Sequence, residues 1–249
     1  MTAPFRRALI TGASSGLGRA LAVWFAKQGV TVYAAARRAE QLESLKAEAP
    51  QYIIPMLLDV SDADATNEAV RALDASCGGL DLVIANAGTG DQMSAEKVEW
   101  SRVRKVLDVN VMGAAATLCG ALPGMVARKR GHLVGVSSLA ASISLPKTAA
   151  YNSSKSFLTG FLESLRLDVE QHGVSVTVIH PGFVKSEMTA KNTFQMPFLL
   201  ETDDAAQRVG RAIVKQTRFF SFPWPTAFVV WLTGALPRPI LRFIARRTI

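Results

Sequence analysis

The sequence predicts a single α/β domain built on a doubly wound parallel sheet of about seven strands, with helices on both faces. Three observations predict it. Short apolar runs alternate with segments of helical periodicity along most of the 249 residues. Among them Asp81-Leu82-Val83-Ile84-Ala85 is unbroken, as expected of a strand covered on both faces. A glycine-rich turn separates the first apolar run from the first helical segment. A chain of this length can bury a sizeable core in one three-layer domain, and it contains no repeat or low-complexity linker.

The elements follow in order. Arg7-Ala8-Leu9-Ile10 is the first strand, and Thr11-Gly12-Ala13-Ser14-Ser15-Gly16-Leu17-Gly18 is the turn. Leu21, Ala22, Phe25 and Ala26 then recur at helical spacing as far as Gln28-Gly29. Residues 30–36 are the second strand, completing a βαβ unit. A helix over 40–48 and a strand over 52–58 come next, then a helix over 62–76 and the strand over 81–85. Residues 98–128 read as a long helical segment, 131–136 as a strand, 151–171 as a helix and 174–179 as a strand. Thr202 reads as the cap of a helix ending near Gln216, with Asp203 and Asp204 in the first turn where the helix dipole favours them. Residues 219–222 form the last strand.

Composition narrows the function classes. Cys77 and Cys119 form no disulfide framework and fit a reducing compartment; they read as buried small hydrophobes. His132, His172 and His180 are too scattered for a metal site. The first residues lead directly into strand one, with no signal-peptide pattern, so a cytoplasmic setting is expected. The formal charge of +8 is half supplied by Arg238, Arg242, Arg246 and Arg247, which argues against nucleic-acid binding.

Two patterns carry chemistry. In the turn over 11–18, glycines let the backbone bend tightly and approach a ligand, and the helix N-terminus offers free N–H groups to a phosphate. Tyr151 and Lys155 lie four residues apart, about one turn along one helix face. A free phenol, with a pKa of about 10, is a poor proton donor or acceptor at neutral pH. A nearby ammonium brings that value down, and the Ser138 hydroxyl can hold a substrate oxygen.

These motifs, together with Asn86-Ala87-Gly88, Asn110 and Pro181-Gly182, match in order and spacing the short-chain dehydrogenase/reductase family, which the chain resembles over roughly residues 5–222. The resemblance implies a Rossmann-fold catalytic domain over 1–222 and an extension over 223–249. It implies an oxidoreductase acting on CH–OH groups, with Asn110, Ser138, Tyr151 and Lys155 as the catalytic set. Ser138 would hold the substrate oxygen, Tyr151 would transfer the proton, and Lys155 would bind the nicotinamide ribose and lower the Tyr151 pKa. Asn110 resembles the residue whose kinked helix holds a water touching the lysine. A non-catalytic NADP-binding interaction module is the alternative, in which a proton relay has no purpose.

Cofactor contacts are expected from Gly12, Ser14, Ser15, Gly16, Leu17 and Gly18. At the end of strand two an acidic residue would favour NAD(H), whereas arginine accommodates a 2′-phosphate. Here Arg37 and Arg38 follow Ala36, so NADP(H) is expected, with Arg37 forking onto the phosphate and Arg38 stacking on the adenine or assisting. Asp59 and Val60 resemble the adenine-contacting pair. Asn86, Ala87 and Gly88 resemble the motif that fixes the central sheet beside the cofactor. Pro181, Gly182 and Val184 resemble the turn facing the nicotinamide, with Ser186, or else Thr189, supplying the hydroxyl after it.

Residues 184–201, with Met188, Phe194, Met196, Phe198, Leu199 and Leu200, resemble the family's mobile loop over the active site and suit a hydrophobic carbonyl or alcohol substrate. Residues 219–237 carry no charge and precede the four arginines. Peripheral contact with an anionic membrane through this C-terminal tail is one reading, and packing on the cleft or on a neighbouring subunit is the other. Phe157, Phe161, Leu165 and Val169 recur at fourfold spacing, and relatives pair through this helix, so a homodimer or homotetramer is expected.

Overall fold

A computed structural model describes residues 3–192 and 195–234. Seven strands, β1 (Arg7–Thr11), β2 (Thr31–Ala36), β3 (Ile53–Leu57), β4 (Leu82–Ala85), β5 (Gly131–Val136), β6 (Val174–Pro181) and β7 (Phe219–Phe222), form one sheet. Their order is β3-β2-β1-β4-β5-β6-β7. Every pairing is parallel. The order reverses between β1 and β4, and at such a switch point the carboxyl ends of the strands open a crevice. The chain is therefore a doubly wound α/β fold, as its sequence predicts.

Eight α-helices cover the sheet among the described residues: α1 (Gly16–Ala26), α2 (Ala39–Glu48), α3 (Ala63–Ser76), α4 (Trp100–Leu107), α5 (Ala114–Ala127), α6 (Ala149–Val169), α7 (Thr202–Val214) and α8 (Trp224–Gly234). Two apolar clusters flank the sheet. One joins α1, α2 and α7 to it through Leu21, Phe25, Leu42, Leu45, Val209 and Ile213. The other joins α3, α5 and α6 through Val70, Leu118, Met125, Leu158 and Leu162. Gly210 lets α7 approach α1 closely, since a Cβ there would stand 2.5 Å from the Trp24 ring.

One expected element gains detail and one is corrected. The long helical segment expected over 98–128 is a continuous helix, Trp100–Ala127, with a π-helical stretch, Asp108–Gly113, between α4 and α5. Thr202 is the first residue of α7 and Glu201 is its N-cap. The Thr202 hydroxyl is drawn away from capping because it donates to the Lys185 carbonyl at 2.6 Å.

Candidate active site

The crevice is built first from the turn after β1. Gly12 and Gly16 have φ of +68° and +54°, a left-handed conformation that side chains resist. A Cβ on Gly12 would stand 2.7 Å from the Ala87 Cα, so the turn closes tightly on the end of β4. Asn86 clamps that closure: its Nδ2 donates to the Thr11 carbonyl at 2.9 Å, and its own N–H donates to Thr11 Oγ1 at 3.2 Å. Ala87 N–H shares the same hydroxyl. These bonds tie the end of β4 to the end of β1. At the start of α1, Ser15 makes no side-chain capping bond and the first turn holds no acid, among the described residues. The first N–H groups therefore remain available to an anion.

The two arginines after β2 divide differently from expectation. Arg38 lies on the turn, with Nη2 donating to Ser14 Oγ at 3.0 Å and to Ser15 Oγ at 2.8 Å, and Nε donating to Ser14 Oγ at 3.2 Å. Its Nη1 pairs with Glu187 at 2.9 Å. Arg37 points outward to Asp59 at 3.7 Å. Burial works against the Asp59 carboxylate, but the Ser61 N–H and hydroxyl, with Arg37, hold its pKa below the usual range. Val60 is buried, and its carbonyl packs on Gly113, where a Cβ would stand 2.3 Å away.

Beyond the switch point lie Asn110, Lys155 and Tyr151. Asn110 is fully buried in the π-helical stretch. Its Oδ1 accepts from Thr89 N–H at 2.8 Å, and its Nδ2 donates to the Thr89 carbonyl at 2.9 Å and to Ser154 Oγ at 3.0 Å. Lys155, 5% exposed on α6, donates from Nζ to the Val136 carbonyl at 2.8 Å and lies 5.9 Å from the Tyr151 ring centroid. Burial pushes its pKa down to about 8. Burial also raises the Tyr151 phenol above its ordinary value, against the downward pull of a hydrogen bond with Ser138. The net shift of Tyr151 is thus upward, opposite to the lowering expected from Lys155. Gly88 adjoins the group: a Cβ there would stand 3.3 Å from Lys155 Nζ and 3.4 Å from Asn110 Oδ1.

Comparison with known proteins now decides the family. The short chain dehydrogenase family matches residues 6–196. The chain belongs to the short-chain dehydrogenase family. An uncharacterized oxidoreductase of Myxococcus xanthus is 55% identical over 246 residues, covering 98% of this chain and 97% of that one. An uncharacterized oxidoreductase of Mycobacterium tuberculosis is 35% identical over 249 residues, covering 96% and 97%. A solved short-chain dehydrogenase from Streptomyces avermitilis superposes with a TM-score of 0.78 at 25% identity, covering 91% of each chain. The structure described as ElxO with NADP bound, at 22% identity, gives a TM-score of 0.78 over 87% of this chain and 96% of that one, and shows the fold alone.

As a short-chain dehydrogenase the chain is an oxidoreductase of a family that binds NAD(H) or NADP(H). The residues present fit such a dinucleotide: an uncapped helix N-terminus behind a glycine turn, and a guanidinium held on two hydroxyls beside it. Pro181 ends β6 beside Phe222, and Gly182 N–H donates to the Phe222 carbonyl at 2.7 Å. Val184 pairs with Leu200, joining the two ends of the expected loop. Thr189 Oγ1 donates to the Val184 carbonyl at 2.8 Å and lies 3.2 Å from Ser186 Oγ, so both candidate hydroxyls belong to one small network. Ser186 also adjoins Gly16, where a Cβ would stand 3.2 Å from its Cβ. Met188 and Tyr151 both flank Gly90, 3.6 Å from the Cβ it would carry. Leu17, at the second position of α1, is partly buried against the core. Phe194 lies outside the described residues.

Thr89, Ser154 and Glu187 were not singled out by the sequence reading. Ser154 had a signal, lying three residues from Tyr151 and so near one helix face. Glu187 had none, since its partner Arg38 is distant in sequence and meets it only in the fold.

Proposed function

We propose that this short-chain dehydrogenase is an NADP(H)-dependent enzyme interconverting an apolar carbonyl compound and its alcohol, with Asn110, Ser138, Tyr151 and Lys155 managing the proton. The observation that carries this reading is the juxtaposition on α6 of the Tyr151 ring and the Lys155 ammonium, 5.9 Å from its centroid, with Ser138 beside the phenol. When bound, the nicotinamide cofactor supplies or accepts the hydride. The chain's residues do the rest. Ser138 presents its hydroxyl to the substrate oxygen. Tyr151 gives that oxygen a proton in reduction and removes one from the alcohol in oxidation, a role that geometry and pKa must serve together. Burial raises the phenol pKa, which keeps it protonated before cofactor and substrate bind. Lys155, which titrates near 8, turns to the ribose hydroxyls and holds positive charge at the phenol. Asn110 positions the π-helical stretch and the Thr89 backbone against α6.

NADP(H) preference is supported by Arg38 on Ser14 and Ser15 and by the absence of an acid at the end of β2. We therefore assign the 2′-phosphate fork to Arg38, with Arg37 and Asp59 at the outer edge of the adenine site. An apolar substrate is supported by the exposed Leu145, Met188, Phe198 and Leu199. Homo-oligomer formation through α6 is supported by the exposed Phe157 stacked on Phe161 with centroids 5.7 Å apart.

The experiment is NADPH consumption across a panel of apolar ketones and aldehydes, with NADH as control. Turnover with NADPH supports the enzyme. Tight NADPH binding without turnover of any member supports the interaction module instead.

A further inference from the structure

Among the described residues, helix α8 keeps one side exposed. Trp224 is 76% exposed, Trp231 68%, Val229 57%, Phe228 55% and Leu232 48%. Trp224, Phe228 and Trp231 stand at i, i+4 and i+7, one stripe, which Leu232 and Val229 widen. The opposite side, with Val230 and the Thr226 hydroxyl, is buried on the domain. Phe228 and Trp231 stack on each other with centroids 6.0 Å apart. Five large apolar side chains without a charge among them form a contiguous patch, of the kind that marks an interaction site. In sequence the 15 residues after Gly234 add Arg238, Arg242, Arg246 and Arg247 and no acid.

We propose that α8 is a membrane-docking element, its aromatic stripe entering the headgroup region of an anionic bilayer whose charge complements the four arginines that follow in sequence. Tryptophan and phenylalanine on one face, with basic residues next to them, are what an interfacial helix presents to lipid. Each arginine near such a surface adds about 1 kcal/mol of attraction. A second copy of the chain fits this face less well. A twofold contact would pair two chains of formal charge +8 each, with no acid after Gly234 to offset the arginines there. An anionic surface neutralises that charge instead. Docking also has a geometric consequence. Pro223, just before α8, lies 3.1 Å from the Cβ Gly182 would carry, with Leu139 3.4 Å away, and α8 packs on the turn Leu139–Ser142 that follows Ser138. Docking through α8 would therefore put the lipid on the side of the domain where the turn after Ser138 lies.

The test uses the full chain and flotation with two kinds of vesicle, phosphatidylglycerol mixed with phosphatidylcholine and phosphatidylcholine alone; neither arm needs turnover. The wild-type chain should float with the anionic vesicles and lose at least about ten-fold in partitioning on the neutral ones, equivalent to about 1.4 kcal/mol. A Trp224→Ser, Phe228→Ser, Trp231→Ser variant with an unchanged thermal transition should lose flotation. Should that variant unfold, glutamine at the four arginines provides the second test, and it should abolish the preference for anionic vesicles. Failure of the wild-type chain to float, or equal flotation of the folded variants, overturns the proposal. So does a wild-type oligomer that the α8 variant dissociates, since that makes a second copy the occupant.

Discussion

Lys155 carries its ammonium at a site where burial pushes the pKa from 10.5 to about 8. Between those values the unfolded chain binds more protons than the folded one, so stability rises with pH across that window and the penalty is full below it. A shift of this size corresponds to something on the order of 3 kcal/mol. The unfolding free energy of the wild type, minus that of Lys155→Met, should therefore climb by up to that amount between pH 8 and 10.5 and stay flat below 8. Urea titrations across the range check it, and a flat difference throughout would remove the buried ammonium from the account. Arg38 gives a second expectation at this scale. Losing a charge-assisted bond of about 1.5–3 kcal/mol, Arg38→Ala should weaken NADPH binding roughly 10- to 100-fold and leave NADH nearly unchanged. Arg37→Ala should do much less. Equilibrium binding followed by nucleotide fluorescence distinguishes the two. The sequence offers both Arg37 and Arg38 after β2, and only the fold separates them, Arg38 lying on Ser14 and Ser15 and Arg37 toward Asp59. Arg38 is the extended N-cap of α2, with φ −94° and ψ 99°, and the entry angle of that helix directs its side chain.

Among the elements, the π-helical stretch Asp108–Gly113 is where the sequence was least legible. The wider turn leaves apolar periodicity almost undisturbed, so residues 98–128 read as one helix. Its register depends on partners distant in sequence, the Thr89 backbone and Ser154, which satisfy Asn110 only once α6 has packed. Asn110→Ala should leave the Thr89 N–H and carbonyl without these partners in a buried place and lower the unfolding free energy by about 2–3 kcal/mol. Chemical denaturation measures it, and an unchanged midpoint would mean that the latch is dispensable. Thr202 teaches a similar lesson. Its residue type is right for a cap, yet the Lys185 carbonyl claims its hydroxyl and Glu201 takes the cap position. In contrast, β1, α1 and β2 were legible almost to the residue, because glycine chemistry and local periodicity alone define them.

For the whole molecule, two buried histidines set the acid side of stability. Burial holds His132 at a pKa of about 3 and His180 at about 4, both below the ordinary value of 6.5. Their stabilising contribution as neutral groups is present above 6.5 and lost as pH falls toward those folded values. Each should cost about 2 kcal/mol between pH 7 and 5. Urea unfolding at the two pH values should show a combined loss of about 4 kcal/mol that the conservative replacement of either histidine by glutamine reduces. The sheet order was legible as a class, from alternating runs and the glycine turn, while the switch point between β1 and β4 needed the fold. That switch point brings the glycine turn, Asn86 and Gly88 to the edge of the crevice that Tyr151 faces. The central claim is that Tyr151 moves the proton there. The measurement that reaches it most directly compares turnover of the best carbonyl substrate by the wild type and by Tyr151→Phe, with NADPH affinity measured in parallel. The account predicts a fall in kcat of about 10²- to 10⁴-fold with the NADPH Kd nearly unchanged. Near-normal turnover by Tyr151→Phe would contradict it.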